Sequence, residues 1–242
     1  MILIDTEQVQ HIISSFKIYS DELDKREVMF LIYLLECMAS ILQLEKGIEQ
    51  LVSTAAMKRF NEILLREDAP FGEYETRIRY LCLQCTSLIC MNNEGKEESI
   101  GLKMIETANK YLTHADPDVI NAATRVIMFS AIHLEGKNQA TAVADDEIVK
   151  NLIGLLKHES KDIVRNAEIS ITNVADLPKG FKIICKYLSE YLTSLDAIFG
   201  PMAIVPLYSL LFKIDRPPFV TEENEESALR YVKAICYFLN NT

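Results

Sequence analysis

Apolar residues recur along this chain at helical spacing, and the helical stripes themselves recur. With Gly47, Gly95, Gly136 and Gly180 as fixed points, the positions seventeen before each are Phe30, Ile78, Val119 and Ile163. Those thirteen before are Leu34, Cys82, Ala123 and Ala167. Six before lie Ile41, Ile89, Ser130 and Val174, and five before lie Leu42, Cys90, Ala131 and Ala175. Every column is apolar or small, and the offsets put all four columns on one face of a single helix. The pattern predicts a long helix ahead of each glycine, with one buried stripe. The small residues of the thirteen-before column predict close approach of neighbouring helices.

Start and stop signals agree with that register. Asp116-Pro117-Asp118 reads as an N-cap followed by a first-turn proline, ahead of a helix over Val119 to Leu134. Ser160-Lys161-Asp162 plays the same part ahead of Ile163 to Asp176. Each glycine is expected to end its long helix in the left-handed conformation that glycine adopts without a Cβ penalty. Beyond each glycine the pattern predicts a shorter helix and then a second apolar one. Examples are Ile100 to Thr113, and Glu147 to Lys157 with Ile148, Leu152, Leu155 and Leu156.

The glycines stand about 48, 41 and 44 residues apart, and a helical period of about 40 to 47 residues is that of armadillo and HEAT repeats. Three helices per unit favour the armadillo form. The expected fold is therefore all-α: an armadillo/HEAT-like right-handed superhelical solenoid of about four repeats. It would fill residues 1–242 as one domain, with repeat ends near 47, 95, 136 and 180. The ends depart from the register, as terminal repeats of a solenoid do. Glu7 to Tyr19 reads as an amphipathic helix, Arg216-Pro217-Pro218 as a break, and Glu222 to Leu239 as a last helix within an irregular cap over 190–242.

Composition narrows the function. A net charge of −10 repels nucleic-acid phosphate and anionic lipid on average, so neither is an expected partner. The cations Lys58, Arg59 and Arg66, and Arg77 and Arg79, are expected to be solvated helix faces. The start, Met1-Ile2-Leu3-Ile4-Asp5, lacks the charged region of a signal peptide. The longest apolar stretch, Val28 to Leu35, falls well short of the roughly 20 residues that cross a bilayer. A soluble, cytoplasmic protein is expected.

Little in the chain points to chemistry. Cys37, Cys82, Cys85, Cys90, Cys185 and Cys236 all fall in apolar helical pattern and are expected to be reduced core residues. Cys82-x-x-Cys85 has no second pair or nearby histidine to complete four metal ligands. His11, His114, His133 and His158 are scattered, and no Ser, Cys or carboxylate recurs beside them at triad spacing. Glu94-Gly95-Lys96 and Glu135-Gly136-Lys137 read as helix ends with a solvated acid–base pair. No catalytic residue, cofactor or metal is expected, and the chain is read as a non-enzymatic protein.

Four stretches carry a family resemblance. They are Ala131-Ile132-His133-Leu134-Glu135-Gly136-Lys137, Asn151-Leu152-Ile153-Gly154-Leu155-Leu156, Ile163-Val164-Arg165-Asn166-Ala167, and Val174-Ala175-Asp176-Leu177-Pro178-Lys179-Gly180. Together they resemble the armadillo-repeat radial spoke proteins of cilia and flagella. The resemblance implies a scaffold within a hetero-complex of the axoneme, docking other spoke subunits. Thr172-Asn173-Val174-Ala175 resembles the armadillo pattern in which a long-helix Asn bonds the main chain of a bound peptide. In register with Asn173 stand Ser40, Leu88 and Phe129; a turn earlier, where nuclear-import adaptors carry Trp, stand Glu36, Gln84, Arg125 and Ile169. The chain has no Trp, which argues against reading of nuclear-import signals. The expected protein-binding face is Gln84, Leu88, Arg125, Phe129 and Asn173, with core positions the alternative for Leu88 and Phe129. The rival functions are a cytosolic adaptor or assembly chaperone that holds a peptide in the groove, and an enzyme on a helical scaffold.

Overall fold

The computed structural model describes residues 25–195, apart from 53, 55, 144 and 145. The helices expected over Glu7–Tyr19 and Glu222–Leu239, the break at Arg216-Pro217-Pro218, Cys236 and all but the start of the 190–242 cap lie outside the described residues. Within them the chain is helical, without a strand. In order come α1 (Lys25–Ile41), α2 (Glu45–Val52), α3 (Ala56–Leu65) and a 3-10 turn (Gly72–Tyr74). Then follow α4 (Glu75–Ile89), α5 (Asn93–Gly101), α6 (Met104–Asn109), α7 (Pro117–Ser130) and α8 (Leu134–Ala142). The series closes with α9 (Glu147–Leu155), α10 (Lys161–Ala175) and α11 (Pro178–Leu195). The chain divides into two compact units, Met1–Gly136 and Lys137–Thr242.

In the first unit the long helices form the spine, with α4 packed on α1 at one side and on α7 at the other. Short helices α3 and α6 lie against α4 and α7 respectively. The thirteen-before residues Leu34, Cys82 and Ala123 are buried here, as is Ala167 in the second unit. Ile78, Val119 and Ile163 are likewise fully buried, whereas Phe30 of the same column is 52% exposed. Within the first unit, Ile78 and Val119 lie on helices that pack on the long helix before them, whereas α1 has no earlier described helix. In the second unit α9 packs on both α10 and α11, around Ile148, Leu152, Ile163 and Ile171.

The repeating glycine has a different role from the one its sequence setting implied. The long helices stop before it, at Ile41, Ile89, Ser130 and Ala175. Each glycine is the third residue of the helix that follows, α2, α5, α8 or α11. None has positive φ; that conformation falls to Gly72, Ala69, Lys103 and Asp146. The reason for glycine is close approach. A Cβ on Gly47, Gly95, Gly136 or Gly180 would lie 2.1, 2.1, 2.0 or 2.2 Å from the carbonyl oxygen of Ile41, Ile89, Ser130 or Val174. The following helix, short in the first three repeats but 18 residues long as α11, starts by crossing the last turn of the long one, and only a hydrogen fits between them.

Other boundaries follow their local chemistry. Asp116 Oδ1 accepts the Asp118 N–H at 2.8 Å and Pro117 opens α7, as expected. Asn92 caps α5 in the same way through the Glu94 N–H. Ser160 makes no side-chain cap; instead His158 Nδ1 accepts the Ser160 N–H at 3.0 Å. His114 Nδ1 accepts the Asp116 N–H at 3.0 Å, so these two histidines bind the turns that open α7 and α10. The helix expected over Ile100 to Thr113 is broken into α5 and α6 at Lys103, whose φ is 57°. Asn61 holds the break: its Nδ2 donates to the Leu102 carbonyl at 3.0 Å, and its Oδ1 accepts from Thr107 at 2.8 Å. The lysines after the glycines are not solvated. Lys96 is buried and donates to Asn93, and Lys137 reaches Asp176 at 2.5 Å.

Candidate interaction face on the long helices

On α4 the residues Arg77, Tyr80, Gln84 and Leu88 fall at i, i+3, i+7 and i+11, and on α7 Asp118, Asn121, Arg125 and Phe129 do the same. This spacing aligns each set along one side of its helix. Because α4 and α7 pack directly on each other, four of the five anticipated residues come from adjacent helices of the first unit. Asn173 is half-buried on α10 of the second unit and is already engaged by interactions within the protein.

The four differ in what they offer. Leu88 is 5% exposed and belongs to the core, the second of its two readings. Phe129 is half-buried, with the Arg125 guanidinium 5.9 Å from its ring centroid. Arg125 and Gln84 are half-buried, and neither side chain makes a hydrogen bond to a described residue. Tyr80, one turn before Gln84, joins them: its hydroxyl also has no hydrogen-bond partner among the described residues. Burial raises the Tyr80 pKa above its ordinary value of 10.0. The Asp118 carboxylate pushes it the same way, while Arg77 and Arg125 pull it back. The phenol is thus neutral at physiological pH, and Arg77 and Arg125 both lie near enough to act on it. Sequence reasoning passed over Tyr80, although its i, i+4 relation to Gln84 is visible in the chain.

The neighbouring step, from α1 to α4, is closed. Arg77 Nη2 donates to Glu36 Oε1 at 2.7 Å, and the Arg77 guanidinium lies 5.4 Å from the Tyr80 ring centroid. Glu36 and Gln84 hold corresponding positions in their repeats, as do Arg77 and Asp118. The pair that binds α1 to α4 is therefore replaced, one repeat on, by Asp118 and a Gln84 amide without a described partner.

Of the other cations expected on solvated faces, Lys58 is exposed, while Arg59 is half-buried with its Nη1 inside and without a hydrogen-bond partner. Arg79, expected on a solvated face, is inside, its side chain only 11% exposed. It pairs with Glu75 at 2.5 Å, bonds the Tyr111 hydroxyl, and donates to the Leu64 and Arg66 carbonyls at 3.1 and 2.7 Å. Those carbonyls end α3, so Arg79 caps that helix from α4. Arg66 pairs with Asp68 at 2.7 Å. Cys82, Cys85 and Cys90 are buried, and burial pushes the Cys85 and Cys90 thiols up to about 12 and about 11 and Cys82 well above its ordinary value. Such thiols are poor nucleophiles and metal ligands at neutral pH. Cys37, expected in the core, is exposed on α1. Cys185 is part of α11, but its side chain is not described. Among the described residues, no group of three or more His, Cys, Asp or Glu could hold a metal ion, and no helix is long and apolar enough to cross a membrane.

No sequence-family model matches the chain, and no curated protein sequence matches it. Solved structures do. A designed armadillo repeat protein in complex with the peptide (KR)4 superposes with a TM-score of 0.60 at 17% identity, over 95% of this chain and 99% of that one. A computationally designed armadillo repeat protein for modular peptide recognition gives 0.61 at 18% identity, over 95% and 98%. An engineered protein gives 0.63 at 15% identity, covering 97% of this chain and 59% of that one. At such identities the likeness speaks to architecture, and together with the all-helical chain it establishes the armadillo-repeat solenoid fold.

Proposed function

We propose that this chain is a non-enzymatic interaction scaffold that holds an extended segment of a partner protein along the exposed side of its long helices. The observation that carries this reading is the set formed by Tyr80, Gln84 and Arg125. These are three half-buried polar side chains on adjacent long helices, with hydrogen-bonding capacity unused among the described residues. Polar groups at the surface that bond only water can exchange it for a ligand's groups, so three of them together are suited to a ligand's main chain and side chains. The peptide complex and the peptide-recognition design among the solved structures of this fold support the same use. Phe129 would supply apolar contact, and Asn173 a separate polar contact in the second unit.

The partner is a protein, and the chain works as one subunit of a hetero-complex in the cytoplasm. The axonemal version, in which that complex is a ciliary radial spoke, rests on the residue resemblance between 130 and 182. Deleting the protein in a ciliated cell tests it, and intact spokes with normal motility would sink it. The scaffold reading is tested by co-purification from the native source, with the unaltered chain compared with one carrying Arg125→Glu and Asn173→Ala. A partner set lost from the altered chain is expected; an identical set from both would show that binding does not use this face.

A further inference from the structure

We propose that the face formed by α4 and α7 selects a partner segment carrying an acidic side chain, whose carboxylate is gripped by Arg125. The inference rests on the scaffold reading and adds the chemistry of the partner. Three other arginines of the first unit already hold a carboxylate: Arg66 holds Asp68, Arg77 holds Glu36, and Arg79 holds Glu75; Arg59 holds none among the described residues, but its Nη1 is buried and cannot reach a partner segment on the surface. Arg125 holds none among the described residues, and its guanidinium carbon lies 5.9 Å from the Phe129 ring centroid. The N–H edge of the guanidinium has no acceptor among the described residues. That edge matches a carboxylate with two parallel hydrogen bonds. Half-burial makes such a pair stronger than one formed in open solvent.

The surroundings favour an anion over a cation. The Glu36 carboxylate is neutralised by Arg77. Asp118 is exposed, so its charge is screened by solvent and salt. With the Arg77–Glu36 pair balanced, the half-buried Arg125 is the charge that a basic segment would have to approach, against the solvent-screened Asp118. The neutral Tyr80 phenol and the Gln84 amide each donate and accept, as the N–H and C=O groups of an extended chain require. The net charge of −10 repels an acidic partner at a distance, so affinity would come from the short-range fork and not from electrostatic steering.

The experiment selects random peptides displayed on phage against the full chain and, in parallel, against the Arg125→Glu chain. Circular dichroism and thermal unfolding establish that both are folded, and Arg125→Gln replaces the charge reversal if it unfolds the chain. Enriched peptides are synthesised and titrated by fluorescence anisotropy. Peptides selected on the unaltered chain are expected to carry Asp or Glu beside an apolar residue. They should weaken by about 10- to 100-fold on Arg125→Glu and by about threefold to tenfold on Tyr80→Phe. A lysine in place of the peptide's acid should restore binding to Arg125→Glu. Enrichment of basic peptides, or acidic peptides that bind Arg125→Glu unchanged, would overturn the acidic preference and leave an interaction face in place. No enrichment on either chain would overturn the scaffold reading of this face together with the inference.

Discussion

Arg79 and Arg125 are both arginines of long helices in the first unit, and their surroundings could hardly differ more. Around Arg79 four of the five donor directions find an acceptor: the Glu75 carboxylate, the Tyr111 hydroxyl, and the Leu64 and Arg66 carbonyls. Around Arg125 there is an aromatic ring and no described acceptor. The first arrangement closes the end of α3 onto α4 and the turn after α6. The second leaves a charged group half out of water with its bonding unfinished. An unfinished group contributes little to folding and much to whatever completes it, so the two sites should separate stability from binding.

The largest expected effect breaks the closed side. Arg79→Ala removes the cation from the Glu75 carboxylate and the Arg79 donors from the Arg66 and Leu64 carbonyls, leaving Leu64 only the Tyr111 hydroxyl, and should cost about 3 to 5 kcal/mol in urea unfolding. Next is the steric counterpart. Gly95→Ala drives a methyl to 2.1 Å from the Ile89 oxygen and should cost about 3 kcal/mol. Gly154→Ala, whose Cβ meets nothing within 4 Å, should gain about 0.5 to 1 kcal/mol. An effect of similar size comes from a group without compensation. Burial raises the Glu98 carboxyl from 4.5 to about 7, so the folded chain holds the proton more tightly than the unfolded one. Its stability contribution is greatest below about pH 4.5, declines as pH rises to about 7, and is level above that. Glu98→Gln should remove this decline, giving about 1 kcal/mol at alkaline pH once exposure is discounted, and almost nothing in acid. The smallest effect is on the open side. Arg125→Ala should move the unfolding free energy by less than about 1 kcal/mol while abolishing selection of acidic peptides. A large loss of stability there would erase the distinction between the two arginines.

The period of the glycines carried the fold, because close crossing of helices at each repeat excludes a side chain whatever the surrounding sequence. The reason for the glycine was misread, since a glycine after a helical stripe looks like a left-handed stop until the backbone shows a carbonyl opposite it. Burial of Arg79 was hidden because its acceptors, the Leu64 and Arg66 carbonyls, are main-chain atoms that no side-chain pattern marks. Phe30 shares its column with buried residues, yet it and Cys37 are exposed on α1, over which no earlier described helix packs. The candidate face was legible at Gln84, Arg125 and Phe129 through register alone. Leu88 turned inward, and Tyr80 was passed over because a lone tyrosine in an apolar stripe carries no signal until its hydroxyl is seen without a partner.

The glycine–carbonyl crossing also explains how repeats of unequal length share one architecture. From the long helix through the glycine the offsets are constant, with the contacted carbonyl always six positions back. The unequal spacing of the glycines arises between each glycine and the next long helix, where Ala69, Lys103 and Asp146 turn the chain with positive φ. Each repeat is thus a rigid hinge-block joined by an adjustable sleeve. Insertions should be absorbed in the sleeve, where evolution or an engineer can vary loop length freely, while a single added residue between Ile89 and Gly95 would jam the joint.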